Sequence, residues 1–78
     1  MKLEIFTPQK TLFSGEVDSV TLPGTSGAFT VLADHAAMIS SLRVDGEITY
    51  AQGDKRETLV IRGGFAEVWK NHVTVCVE

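Results

Sequence analysis

The sequence has one cysteine, Cys76, two prolines and no hydrophobic run long enough to cross a membrane as a helix. A single cysteine cannot form an internal disulfide, so we expect the chain to fold in a reducing compartment without a covalent cross-link. Cys76 lies in the alternating apolar segment 73–77 without a basic neighbour and is interpreted as an inert, packed thiol. Residues 1–10 include Lys2, Glu4 and Pro8, so they lack the apolar core of a secretion signal.

Acidic side chains outnumber basic ones. Seven Lys and Arg against ten Asp and Glu leave a net charge of -3, the opposite sign to that of a domain that binds nucleic-acid phosphates. Lys55, Arg56 and Arg62 supply the only clustered positive charge and are interpreted as solvated turn residues. With 44% hydrophobic and 22% charged residues, the chain of 78 residues has the composition of one soluble globular domain rather than of a disordered segment.

Short apolar runs interrupted by Gly, Pro, Asp and Asn recur along the chain, and helix-period patterns of useful length are missing. This pattern favours an all-β fold. The clearest hairpins have their turns at residues 52–55 and at 70–71, the second one between strands over 65–69 and 72–77. About ten short strands cannot lie in one flat sheet of this size. The sequence therefore predicts a two-sheet β-sandwich of about ten short, mainly antiparallel strands, with residues 1–78 as a single domain.

Three segments are expected to interrupt the strands. Residues 14–15 predict a turn or bulge before a strand over 16–22. Residues 23–27 have the glycines and proline of a tight exposed loop, and they lack the lysine and following helix of a phosphate-binding loop. Asp34 predicts the cap of a single helical or 3₁₀ turn.

One group of residues could imitate a catalytic relay. His35 follows Asp34, and Ser26, Ser40 and Ser41 are not far away in sequence. No G-x-S-x-G turn accompanies this group, and an Asp adjacent to a His in sequence rarely points correctly to orient the imidazole. A structural or interfacial role for His35 is therefore favoured over hydrolysis.

A zinc site would need the two histidines, His35 and His72, together with carboxylates at Asp34, Asp54 or Glu67. Their spacing matches no zinc motif. We therefore expect no catalytic residue, no metal ion and no cofactor, and we favour a binding or structural protein over an enzyme. The residues alone do not name a partner.

Aromatic residues are spread over many strands rather than interleaved with basic ones, which argues against an oligonucleotide-binding barrel. Most are expected in the core, whereas Trp69, at a strand end, is as compatible with partial exposure as with burial. The expected core aromatics are Phe6, Phe13, Phe29, Tyr50 and Phe65.

Seven segments carry a resemblance to a known family: LEIFTP at 3–8, LFSGEV at 12–17, VTLPGTSG at 20–27, FTVL at 29–32, DHAAMI at 34–39, GGFAEV at 63–68 and VTV at 73–75. In their order and spacing they resemble the amino-terminal domain of the epsilon subunit of rotary F-type ATP synthase, which is called delta in mitochondria. The resemblance covers nearly the whole chain. It implies a β-sandwich, in agreement with the strand pattern.

The resemblance also implies a function. A member of this family is a non-catalytic rotor subunit of the central stalk, which binds the gamma subunit and rests on the c-subunit ring, coupling proton translocation to ATP synthesis. The implied location is peripheral, on the cytoplasmic face of the bacterial inner membrane. For such a subunit we expect an exposed apolar or mixed patch on one sheet and a polar loop end toward the ring. The positions that match the family's gamma-facing side are Thr7, His35, Ser40 and Leu42. Those that match its c-ring-facing loop are Thr25, Ser26, Gly27 and Ala28.

The chain departs from the family pattern in three places. Ala28 stands where the family often has an acidic residue, and residues 33–34 stand where it often has Pro-Gly. The family's carboxy-terminal helical hairpin has no counterpart before the last residue, Glu78. If 78 residues is the natural length, we expect a subunit without inhibition by that hairpin. The alternative is a generic β-sandwich adaptor in another complex.

Overall fold

The computed structural model describes all residues, Met1–Glu78, and contains nine strands and no helix. The all-β prediction is confirmed, with nine strands in place of about ten. None of these elements is a helix that could span a membrane. The strands are β1 (Lys2–Phe6), β2 (Thr11–Glu16), β3 (Ser19–Gly24), β4 (Gly27–Val31), β5 (Met38–Leu42), β6 (Glu47–Gln52), β7 (Lys55–Val60), β8 (Gly64–Trp69) and β9 (His72–Val77).

Hydrogen bonds join the strands in the order β2-β1-β9-β8-β5-β3-β6-β7, with β4 on β3. The junction between β5 and β3 is narrow, because only Gly24 and Leu42 pair there, whereas β5 pairs with β8 along its whole length. The sheet therefore curls at this junction into two layers. One layer is β2-β1-β9-β8-β5, called the five-stranded layer below, and the other is β4-β3-β6-β7. All pairs are antiparallel except β1 with β9.

The core lies between the two layers. In β9, the buried residues Val73, Val75 and Val77 alternate with half-buried neighbours, because successive side chains of a strand point to opposite faces. Each fully buried aliphatic side chain stabilises the fold by about 1.5–3 kcal/mol relative to exposure. The buried cluster comprises Leu3, Ile5, Val17, Val20, Leu22, Val31, Leu42, Ile48, Ile61, Ala66, Val68, Val73, Val75 and Val77.

Both predicted hairpins are confirmed. Trp69 pairs with His72, and the two residues between them, Lys70 and Asn71, have φ angles of 47° and 61°. Positive φ at both central residues is the requirement of a type I′ turn, whose twist matches that of the flanking strands. In the β6–β7 hairpin Gln52 pairs with Lys55. Its first central residue, Gly53, has a φ of 58°, which glycine adopts at no steric cost.

Four local predictions are wrong. The exposed loop expected over residues 23–27 is confined to a turn at 25–26, because Pro23 and Gly24 are buried at the end of β3 and Gly27 begins β4. Residues 14–15 form neither a turn nor a bulge, since Ser14 and Gly15 pair with Glu4 and Leu3 inside β2; the irregularity of this strand pair lies between Ile5 and Phe6. The strand over 16–22 is broken at residues 17–18, where the chain crosses from one layer to the other. Asp34 caps no helical turn; it occupies a reverse turn that is closed by the His35 N–H donating to the Leu32 carbonyl at 3.3 Å.

Candidate protein-interaction face

The outer face of the five-stranded layer carries side chains that point away from the core. In β8 the buried residues Ala66 and Val68 alternate with exposed Phe65, Glu67 and Trp69. This follows from the two-residue period of a strand, since one face of β8 is committed to the core. On the neighbouring β5, Ile39 lies opposite Glu67 and therefore shares the outer face.

Three large apolar side chains on this face are open to solvent. Ile39 is 73% exposed, Phe65 51% and Trp69 57%. We call these three side chains, with Glu67 among them, the apolar patch. Glu67 lies between Phe65 and Trp69 along β8 and opposite Ile39 on β5, so apolar groups surround its carboxylate on three sides. Several large apolar side chains exposed on one face of a sheet are typical of a site of protein interaction.

The carboxylate of Glu67 forms no ion pair with a cation of the chain, since neither of the two ion pairs of the chain includes it. The nearby ammonium group of Lys70 lies over the Trp69 ring, 5.4 Å from its centroid. A partner that covers Glu67 must therefore supply a positive group or a hydrogen-bond donor, because burying an unpaired carboxylate is costly.

Two open grooves adjoin the apolar patch. One, of about 440 Å³, has Ile39 and Ala37 on one side and Trp69 on the other. The second, of about 500 Å³, lies between Phe6–Pro8 and the edge formed by Phe65 and Cys76. Both are shallow features that could receive side chains from a facing protein surface.

The residues considered for a catalytic relay do not assemble into one. The Asp34 carboxylate accepts a hydrogen bond from Asn71 Nδ2 at 3.0 Å, while His35 Nδ1 lies 2.7 Å from the Ala36 carbonyl oxygen. The Ser40 hydroxyl donates to the Ser41 carbonyl at 3.0 Å. Asp34 is thus oriented toward Asn71 and not toward the imidazole, which leaves no geometry for general-base catalysis through His35.

The residues considered for zinc are likewise apart. His72 Nε2 lies 2.6 Å from Glu4 Oε1, on β1, and is not grouped with His35. No group of three His, Cys, Asp or Glu side chains comes together in the chain. Cys76 is half-buried on β9 and forms no disulfide.

Two of the predicted gamma-facing residues lie at opposite ends of the five-stranded layer. Thr7 follows β1, and its Oγ1 accepts the N–H groups of Gln9 and Lys10 at 3.2 and 3.1 Å, which fixes the turn there. His35 precedes β5 at the other end and is half-buried. The outer face with its apolar patch lies between them.

The other two predicted gamma-facing residues point inward. Leu42 is 4% exposed and belongs to the core, so its side chain is covered by this chain itself. Ser40 pairs with buried Ala66 and is half-buried. The outward side chains of the same strand are Ile39 and Ser41.

The predicted ring-facing residues Thr25, Ser26, Gly27 and Ala28 are all exposed and form the tip of the β3–β4 hairpin. The tip is attached to β5. The Thr25 N–H donates to the Ser41 carbonyl at 3.0 Å, and the two side-chain hydroxyl oxygens lie 2.7 Å apart. The hairpin tip therefore has a fixed position beside the end of β5.

The sequence reasoning missed two members of the apolar patch. Phe65 was expected in the core and is instead half exposed, and Ile39 was not singled out. The sequence did contain an indication that Phe65 is exposed. Residues 65, 67 and 69 share one face of their strand, and a face that contains Glu67 is expected to point to solvent. For Trp69, the sequence was compatible with either burial or partial exposure, and the structure shows that it is exposed.

Comparison with known proteins identifies the family. The family model described as ATP synthase, delta/epsilon chain, beta-sandwich domain, matches residues 1–78. The chain belongs to this ATP synthase delta/epsilon family. Its beta-sandwich description agrees with the two layers seen here.

Relatives in this family are bacterial ATP synthase epsilon chains. The chain is 40% identical over 78 residues to that of Caulobacter vibrioides and covers 90% of it. It is 33% identical over 78 residues to that of Leptospira interrogans and spans 61% of the length of that relative.

A solved structure has the same fold. The match is a chain of the Euglena gracilis mitochondrial ATP synthase, in a structure of OSCP, F1 and the c-ring, with a TM-score of 0.87 and 27% identity. The alignment covers 96% of this delta/epsilon-family chain and 48% of the Euglena chain.

Proposed function

We propose that the chain is a non-catalytic rotor subunit of the central stalk of F-type ATP synthase, which binds the gamma subunit and the c-subunit ring. In this role it couples proton translocation to ATP synthesis at the cytoplasmic face of the bacterial inner membrane, as a peripheral part of the complex. The observation that carries the proposal is the apolar patch of Ile39, Phe65 and Trp69 on the outer face of the five-stranded layer. Membership of the delta/epsilon family supports the choice of gamma as the partner for that face.

The position of the apolar patch supports a gamma interface. It lies between Thr7 and His35, the two predicted gamma-facing residues at the ends of the layer. Buried aromatic side chains contribute strongly at protein interfaces, so Trp69 and Phe65 are suited to this role. The two adjoining grooves offer places for gamma side chains.

The β3–β4 hairpin supports the proposed ring contact. Residues 25–28 are exposed and polar or small, as expected for contact with the polar loops of another subunit. Because Thr25 is held to Ser41 by two short contacts, the hairpin can transmit lateral force to the five-stranded layer instead of bending away. A rotor subunit needs this kind of mechanical connection.

The test is reconstitution with the gamma subunit of the same organism. Calorimetry is expected to give one-to-one binding of the chain to gamma. Addition of detergent-solubilised c ring to the gamma complex is then expected to give a ternary complex on size-exclusion chromatography.

A matched pair of variants separates the two contacts. Ser26→Tyr, at the tip of the β3–β4 hairpin, should prevent ring binding and leave gamma binding intact. Asp54→Tyr, at the tip of the β6–β7 hairpin, should leave both intact. Absence of gamma binding by the folded wild-type chain would refute the proposal and favour an adaptor role in another complex.

A further inference from the structure

Asn71 connects three separate segments of the chain. Its side-chain Oδ1 accepts the Asp34 N–H at 2.6 Å, and its Nδ2 donates to Asp34 Oδ1 at 3.0 Å. Its main-chain carbonyl accepts the Lys2 N–H at 2.9 Å. The reciprocal pair of hydrogen bonds between Asn71 and Asp34, called the clasp below, joins the β8–β9 turn to the loop between β4 and β5.

The clasp holds Asp34 in a backbone conformation that few residues adopt. Asp34 has a φ of 64°, in the left-handed region that favours glycine and asparagine. The clasp engages both the N–H and the carboxylate of this residue, so it fixes the third position of the turn over residues 32–35. The direction in which the chain leaves this turn determines where His35 lies.

The clasp is close in sequence to both walls of the smaller groove of the interaction face, although neither of its residues lines that groove. One wall of that groove is formed by Ala37 and Ile39, which follow Asp34 in the chain. The other includes Trp69, which precedes Asn71 by two residues. A bond between Asp34 and Asn71 therefore connects the segments that lead to the two walls.

We infer that Asn71 is a positioning residue for gamma binding, which acts by holding His35 and the Ala37–Ile39 wall in place through the clasp. This inference rests on the proposed function, since it assigns the gamma contact to the face that the clasp shapes. Asn71 itself need not touch gamma. Its effect on binding passes through the loop that contains His35.

Glycine variants remove the clasp without straining the backbone. Asn71→Gly deletes both hydrogen bonds and tolerates the φ of 61° at this position. Asp34→Gly keeps the N–H donor, tolerates the φ of 64° and deletes one of the two bonds. Asp34→Asn is the conservative variant, because it keeps an oxygen acceptor and a residue type that tolerates positive φ. Asp45→Gly, at an exposed turn residue with a φ of 59°, is the matched control away from the clasp.

Gamma affinity is expected to fall by about threefold to tenfold in Asn71→Gly and by less in Asp34→Gly. Asp34→Asn should restore most of the affinity that Asp34→Gly loses, and Asp45→Gly should bind like the wild type. In a His35→Ala background, Asn71→Gly should have a smaller effect, because the two residues act through the same loop. Amide NMR signals of residues 35–39 in the free chain should shift in Asn71→Gly and not in Asp45→Gly.

Three results would overturn the inference. Asn71→Gly could bind gamma as tightly as the wild type, its effect could be undiminished in the His35→Ala background, or the signals of residues 35–39 could stay unchanged. Failure of the wild-type chain to bind gamma would refute the proposed function and with it the assigned role of Asn71. Shifted signals of residues 35–39 would then still show that the clasp orders this loop.

Discussion

His72 Nε2 lies 2.6 Å from Glu4 Oε1, across the parallel pair of β9 with β1. On β2, Glu16 Oε1 lies 3.1 Å from the amino-terminal nitrogen of Met1. Two of the acidic side chains of the five-stranded layer therefore have a positive or hydrogen-bonding partner within the chain. Glu67, in the middle of the apolar patch, has no ion-pair partner, and this contrast makes Glu67 a candidate for contact with gamma.

We expect Glu67→Gln to weaken gamma binding by about tenfold at low salt, because a carboxylate that meets a cation in an interface loses that attraction on neutralisation. The difference from wild type should shrink as ionic strength rises, since salt screens the charges. Calorimetric titrations at two salt concentrations measure both effects. Glu47→Gln, an exposed glutamate on β6 in the other layer, is the control. Equal affinity of Glu67→Gln and wild type at low salt would show that gamma supplies no positive group at Glu67.

Trp69 reports directly on coverage of the apolar patch. It is the only tryptophan of the chain and is 57% exposed, so its fluorescence in the free chain should be that of a solvated indole. Burial against gamma should shift the emission to shorter wavelength, because the indole leaves water. The same titration with the Trp69→Phe variant measures how much of the fluorescence change comes from gamma itself. An unchanged Trp69 spectrum in a formed complex would place gamma elsewhere on the chain.

Titration of the Tyr50 hydroxyl, on β6, tests the packing of the β4-β3-β6-β7 layer. Burial raises the pKa of the Tyr50 hydroxyl, and the negative charge of Glu57 raises it further. Its ring centroid lies 4.2 Å from that of Phe13, which covers it from β2. Tyr50 is the only tyrosine, so the tyrosinate absorbance of the folded chain should titrate above the ordinary value of about 10.

The sign of the stability change follows from this shift. Because the folded state holds the Tyr50 proton more tightly than the unfolded state, the free energy of unfolding should be unaffected by Tyr50 below the ordinary pKa and should fall as pH rises through the folded pKa. Glu57→Gln should lower the pKa of Tyr50 without returning it to the ordinary value, since burial is the larger cause. A Tyr50 titration at or below the ordinary value would contradict this packing.

Gly64 begins β8 in a place that has no room for a side chain. Its φ is 142°, and an added Cβ would overlap the carbonyl oxygen of Cys76 on β9. Gly64→Ala should lower the free energy of unfolding in urea by about 3 kcal/mol or more. Gly27→Ala is the matched control, because Gly27 has a φ of 134° with nothing within 4 Å of the added Cβ. It should cost about 1–2 kcal/mol, from backbone strain alone. Equal losses in the two variants would contradict the close approach of β8 and β9.

The hairpins could be predicted from sequence because their determinants are local. Gly53 and the pair Lys70 and Asn71 provide the positive φ angles of two-residue turns, and alternating apolar residues follow the second turn. Asp34 was misinterpreted because its contact with Asn71 lies 37 residues away in sequence, so its turn depends on a long-range contact. The same limit applies to the parallel pairing of β1 with β9, which no local pattern indicates.

The candidate site was predictable only in part. An exposed apolar patch on one sheet was expected, but its members could not be identified before the strand pairing was known. Leu42 and Ile39 are both apolar residues of β5, and only the register decides that Leu42 enters the core while Ile39 faces solvent. The proposed partner, gamma, comes from the family resemblance, because the strand pattern alone names no partner.

The most direct test of the account compares Ile39→Ser with Val60→Ser in gamma binding. Both residues are exposed aliphatic strand residues, 73% and 63% respectively, but Ile39 belongs to the apolar patch and Val60 lies on β7 of the other layer. Calorimetry should show that Ile39→Ser weakens one-to-one binding by at least about tenfold, while Val60→Ser changes it by less than about twofold. Equal affinities of the two variants, or a loss confined to Val60→Ser, would contradict the assignment of the gamma interface to the five-stranded layer.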